Sequence, residues 1–76
     1  MNYSKETLKL ISLCWSGDEP RNTNVIIGTT YFDLEGNKYK ITEDTYKELV
    51  HYQSESSKKI RIIRNGNVLW LQGIGA

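Results

Sequence analysis

The chain predicts an α+β fold in the order α-β-β-α-β-β, with about four antiparallel strands in one sheet and two helices packed on one of its faces. Three observations predict it. Asn65-Gly66 joins two apolar runs, Ile60–Ile63 and Val68–Leu71. Such a dipeptide is the strongest short-range hairpin signal, because both central residues of a type I′ turn need positive φ. An earlier pair of extended runs flanks Gly36, which can supply the positive φ of a second turn. Finally, Ser4–Ser16 and the stretch beginning at Thr42 repeat apolar residues at helical spacing.

In the first helix, Ser4–Ser16, Ser4 is the N-cap and Glu6 places a carboxylate in the first turn, where the helix dipole favours it. At 100° per residue, Leu8, Leu10, Ile11, Cys14 and Trp15 share one broad arc, opposite Lys5, Lys9, Ser12 and Ser16. Leu13 widens the apolar face. Gly17 ends the helix, and Pro20 forbids an early restart. Gly17–Asn24 is then the longest polar connection, a surface loop turning at Pro20.

Val25–Ile27 starts a strand that bends at Gly28 and continues through Thr29–Asp33. Lys38-Tyr39-Lys40-Ile41 returns with strict alternation, Tyr39 and Ile41 to one face. The expectation is a first hairpin burying Phe32 and Leu34 on a shared face. Thr42 caps the second helix, with Glu43 and Asp44 in its first turn. Tyr46, Leu49, Val50 and Gln53 form its inward stripe, while Lys47, Glu48 and His51 face out. Ser54–Ser57 leads into the second hairpin, and residues 73–76 read as a flexible tail.

The totals bound the rest. The 76 residues make one small domain, 1–76, whose thin core raises the prior for a homo-oligomer. A net charge of +1 argues against a strongly electrostatic binder. The single cysteine allows no intrachain disulfide. No secretory signal and no apolar run of bilayer length is seen, so the expected setting is reducing and cytoplasmic, without a membrane partner.

The inventory for chemistry is thin, and no enzyme activity, cofactor or metal is expected. His51, the only histidine, lies on a polar helix face, far in sequence from Cys14, so metal-ligand spacing is missing. Cys14 reads as a small buried hydrophobe. Asp18/Glu19 and Glu43/Asp44 are sequence neighbours pointing apart. Gly28 and Gly36 stand alone, and Gly73-Ile74-Gly75 is followed by no helix, so no phosphate-binding loop is present.

Function therefore rests on the hairpin. With Asn65-Gly66 as a two-residue turn, Arg61 opposes Trp70 and Ile63 opposes Val68. Ile60, Ile62, Leu69 and Leu71 then face the core, leaving Trp70 outside with Arg61 and Lys59. With a three-residue turn and a bulge the second strand flips, so Val68 and Trp70 become core and Leu69 and Leu71 face out. In either register the second strand is apolar on both faces, so its outer face needs covering by another chain, by Val25–Ile27 or by a ligand.

The expected partner-binding residues are thus Lys59, Arg61, Ile63, Leu69 and Trp70, and the expected partner is a protein or a second copy of the chain. The expected function is a compact, non-catalytic interaction module. Its size, neutral charge and lone cysteine fit the genre of small bacterial or phage inhibitors and adaptors. Two alternatives remain. Lys58, Lys59, Arg61 and Arg64 beside Trp70 could hold single-stranded nucleic acid, and an interchain pocket could sequester a small molecule.

Overall fold

The computed structural model describes residues 2–55 and 59–74. Two helices, α1 (Lys5–Ser12) and α2 (Glu43–Glu55), alternate with seven short strands: β1 (Trp15–Ser16), β2 (Glu19–Pro20), β3 (Asn22–Ile26), β4 (Thr30–Phe32), β5 (Lys38–Lys40), β6 (Ile60–Asn65) and β7 (Val68–Gly73). All ladders are antiparallel, as expected for this α+β chain. They form three sheets, however, rather than one of four strands: β1-β2, β3-β7-β6 and β4-β5.

Gly28 causes the division. Its φ of +95° turns the chain out of line, so the run from Val25 to Asp33 is two strands and not one bent strand. Val25 and Ile26 join β7, whereas Thr30–Phe32 pairs with Lys38–Lys40. Gly28 N–H to Ile41 O (2.7 Å) and Ile41 N–H to Thr29 O (2.9 Å) extend the β4–β5 ladder, and Tyr31 OH ties it to the main sheet by accepting from Ile26 N–H (3.2 Å). Phe32 and Leu34 are consequently exposed, against the expectation of a shared buried face, and only Ile41 from this region is fully buried. The loop between the strands winds around Asp33. Its carboxylate accepts from the backbone N–H of Glu35 (2.9 Å) and Asn37 (2.8 Å) and from the Asn37 side chain (3.0 Å).

Helix α1 begins as the sequence requires, with Ser4 Oγ accepting from Thr7 N–H (3.3 Å). It ends four residues earlier than expected, because Cys14 O must meet Arg21 N–H (2.7 Å) and Trp15–Ser16 pairs with Glu19–Pro20 around Gly17. The polar connection thus contains a small hairpin. The inward stripe is Thr7, Leu10 and Cys14, and Leu8 lies on the exposed side. Glu48 of α2, expected in solvent, explains this rotation: it accepts from the Ser4 N–H (2.7 Å), drawing the head of α1 onto α2.

Helix α2 starts with a reciprocal cap, Thr45 N–H to Thr42 Oγ1 (3.4 Å) and Thr42 N–H to Thr45 Oγ1 (3.2 Å). Leu49 is fully buried, and Val50 turns outward. Leu10, Cys14, Val25, Ile41, Leu49, Ile60, Leu69 and Leu71 make one core between the helices and the inner face of β3-β7-β6. Gly73 belongs to β7, and Ile74 N–H bonds Lys59 O (2.9 Å), so neither is tail. Helix α2 runs through Glu55, so Ser54 and Glu55 of the expected Ser54–Ser57 loop are helical, while the rest of that loop, Lys58, Gly75 and Ala76 lie outside the described residues.

Candidate protein-binding face

The second hairpin settles its register in a third way. Asn65 pairs with Val68, so Gly66 and Asn67 form the turn, with Gly66 at φ +62°. Ile63 therefore opposes Trp70 and Arg61 opposes Gln72. Compared with the Asn65-Gly66 turn, the pairing slides by two residues. A slide of two keeps every side chain on its face, whereas a slide of one would reverse them all. Ile60, Ile62, Leu69 and Leu71 accordingly point inward, and the bulged alternative with Trp70 in the core does not occur.

Strand β3 extends this geometry. Asn24 opposes Trp70 and Ile26 opposes Val68. Val25–Ile27 was one candidate cover for the outer apolar face. Instead it adds beside the hairpin, with Val25 going into the core and Ile26 enlarging the outer face. The centre of that face is Ile63 (55% exposed), Trp70 (50%) and Ile26 (46%). Asn22, Asn24, Gln72 and Arg61 surround it, and several of these line an open groove of about 480 Å³ beside Trp70. No described residue of the chain packs over Trp70 and Ile63 as a second layer.

Of the expected binding residues, Arg61, Ile63 and Trp70 share this face, and Lys59 is exposed just before β6. Leu69 does not belong to it. It is 0% exposed, because alternation sends it inward between two outward neighbours. Ile26, Asn22 and Asn24 were missed. Their signal was the apolar triplet Val25-Ile26-Ile27, which a one-sided strand would not carry.

Arg64 leaves the basic set as well. Its guanidinium makes two bonds to the Glu43 carboxylate at the start of α2, 2.7 and 2.8 Å, and lies 4.7 Å from the Tyr46 ring centroid. The bond to Arg64 holds the Glu43 carboxyl below its ordinary range, and the same pair raises Arg64. Arg61 does not stack on Trp70: the cation–π contacts among the described residues join Lys5 and Lys9 to Tyr39 and Arg64 to Tyr46.

The groups of interest to catalysis are engaged elsewhere. His51 Nε2 is 2.8 Å from Glu55 on the exposed side of α2, and Tyr3 OH donates to the same carboxylate. Cys14 is buried, and burial pushes its thiol up to about 11, so little thiolate exists near neutral pH. Among the described residues no group of three His, Cys, Asp or Glu side chains is arranged to hold a metal ion, and no helix is long and apolar enough to cross a membrane.

A second groove, about 470 Å³, lies between α1 and the β4–β5 hairpin. Leu10, Val25 and Ile41 are in its floor and Leu13, Tyr31 and Phe32 in its walls, with Glu6, Lys9 and Glu35 at its margins. No protein-family model, curated protein or solved structure matches the chain, so its fold and its exposed faces stand on their own chemistry.

Proposed function

We propose that the chain is a non-catalytic protein-interaction module, an inhibitor or adaptor that acts by occupying a partner's surface through the outer face of β3-β7-β6. The observation that carries this reading is the directly opposed pair Ile63 and Trp70, both about half exposed at the centre of the sheet. Large apolar side chains ringed by Asn22, Asn24, Gln72 and Arg61 have the make-up of an interface centre with a polar rim. A buried aromatic in such a place typically contributes more than any of its neighbours. Protein is favoured over nucleic acid because Arg64 is spent on Glu43, leaving Arg61 and Lys59 as the described cations of the hairpin near this face. Phosphate-backbone binding draws on several cations together.

The test compares the wild type with Trp70→Ala and Ile63→Asp. Light scattering over a concentration series reads self-association, and affinity capture from the native host reads other partners. Both variants should keep the wild-type circular dichroism while losing the self-association or the captured protein. A protein that stays monomeric and captures the same proteins in all three forms would overturn the reading.

A further inference from the structure

Each outer strand of the main sheet is partly covered along its free edge. On β6, the Ile62 N–H points away from β7 and is taken by the Gln53 side chain of α2 (2.8 Å). On β3, Gly73 N–H bonds Arg21 O (2.9 Å) and Ile27 N–H bonds Asn67 O (2.7 Å), so the odd-numbered residues face β7. By antiparallel alternation the backbone groups of Asn22, Asn24 and Ile26 face outward. Ile26 is covered: its N–H meets Tyr31 OH (3.2 Å), and its carbonyl accepts from Thr29. Asn22 and Asn24 have no such cover among the described residues. Both grooves reach this same strand, since Thr23 and Asn24 line each of them. One groove lies on the Trp70 side of β3 and the other on the α1 side.

We infer that the free edge of β3 at Asn22–Asn24 is a strand-addition site for an extended segment of a partner protein, with large side chains alternating between the two grooves. The main chain of such a segment satisfies the outward N–H and C=O groups, while its side chains, pointing alternately up and down, reach both hollows. Charge gives the segment a polarity. Glu6, Asp33 and Glu35 outnumber Lys9 around the α1-side groove, and Glu6 and Glu35 form no ion pair among the described residues, so that side takes apolar residues with a basic one. Arg61 borders the other groove and suits an acidic or neutral residue. A second copy pairing β3 against β3 fits less well: it would bring Asn22, Thr23 and Asn24, short polar side chains that leave hollows of about 480 and 470 Å³ unfilled. The inference deepens the interaction reading above by naming what the partner presents, and it rests on that reading only for the groove beside Trp70.

A random linear peptide library displayed on phage provides the probe. Enriched peptides should alternate apolar and polar residues. When bound they should slow hydrogen exchange at the Asn22 and Asn24 amides, and Asn24→Pro should weaken them roughly tenfold or more, the loss of a main-chain hydrogen bond and its strand fit. Asn24 donates nothing to β7, so the variant retains the ladder; Asn22→Pro serves in its place if that variant fails to fold. Failure to enrich any peptide overturns the inference, as do enriched peptides that bind Asn24→Pro equally or leave both amides unprotected. A dimer of the wild type that Asn24→Pro dissociates would also overturn it, by making a second copy the occupant. The outer-face reading fails separately. Peptides that protect Asn22 and Asn24 yet ignore Trp70→Ala uphold strand addition and count against that face, and the reverse pattern does the opposite.

Discussion

The carbonyl oxygen of Cys14 fills the space where residue 73 would carry a Cβ, so β7 can run past the end of α1 only with glycine at its last position. The neighbours are backbone: Cys14 O accepts from Arg21 N–H (2.7 Å), and Gly73 N–H donates to Arg21 O (2.9 Å). Main-chain bonds there tie the two sides of the small β1–β2 hairpin to a strand end more than fifty residues away. Gly73→Ala should therefore destabilise by about 2–3 kcal/mol, the cost of overpacking where no side chain can move aside. Urea unfolding followed by circular dichroism measures it, and an unchanged midpoint would show that the strand end yields.

Alternation along β7 makes Leu69 and Trp70 opposite cases. Leu69→Ala empties a fully buried site and should cost about 2–5 kcal/mol, a large share of the roughly 5–10 kcal/mol a domain of this size has. Trp70→Ala, at a half-exposed site, should cost about 1 kcal/mol or less. Thermal melts of the two variants side by side decide it. Equal losses would contradict the observed facing of the strand.

Acid should unfold the protein through carboxylates that are bonded only in the native state. Asn37 lowers Asp33, Arg64 lowers Glu43, the Ser4 N–H lowers Glu48 and Tyr3 lowers Glu55, each below its ordinary value of 3.8 or 4.5. A depressed folded-state value means that the stabilisation is complete above the unfolded-state pKa and is lost as pH falls through the folded one. The urea midpoint should be flat near neutrality and drop below about pH 4.5. Glu43→Gln should be less stable than wild type at neutral pH, and the gap should close in acid once Glu43 itself is protonated.

Cys14 should be nearly inert in the native protein. With its thiol pushed up to about 11 by burial, it should react with a disulfide reagent at pH 8 far more slowly than in urea. Timed absorbance of the released thiol gives the ratio. Fast labelling of the native form would mean that the segment after α1 opens readily.

Local signals were legible in the sequence wherever short-range chemistry decides. Ser4 and Thr42 cap their helices, Gly36 turns the β4–β5 loop, and 60–72 is a hairpin. Facing was legible for Leu10, Leu49 and Ile60, whose apolar neighbours repeat at one period. It was not legible for Leu8, because Glu48 rotates α1 through a contact with Ser4 that no local pattern encodes. Phe32 and Leu34 are exposed for a related reason: hairpin pairing suggests a shared buried face, but Gly28 takes the chain away from the core before it reaches them. The candidate face was half legible. Trp70, Ile63 and Arg61 followed from alternation, but its third strand depends on β3 pairing with β7, between residues 22–26 and 68–72. Such distant pairing leaves no mark in either segment beyond an excess of apolar residues.

The middle strand of the largest sheet follows every other element along this chain. On the ribosome, β3 and β6 therefore emerge with nothing to lie between them, and Val25 and Ile60 wait beside two helices whose apolar sides are open. A nascent chain reaching only to Asn67 holds most of the core residues and none of the strand that joins them. Closure comes when 68–73 pairs on both sides. Until then the two outer strands lack their common partner and are exposed to mispairing.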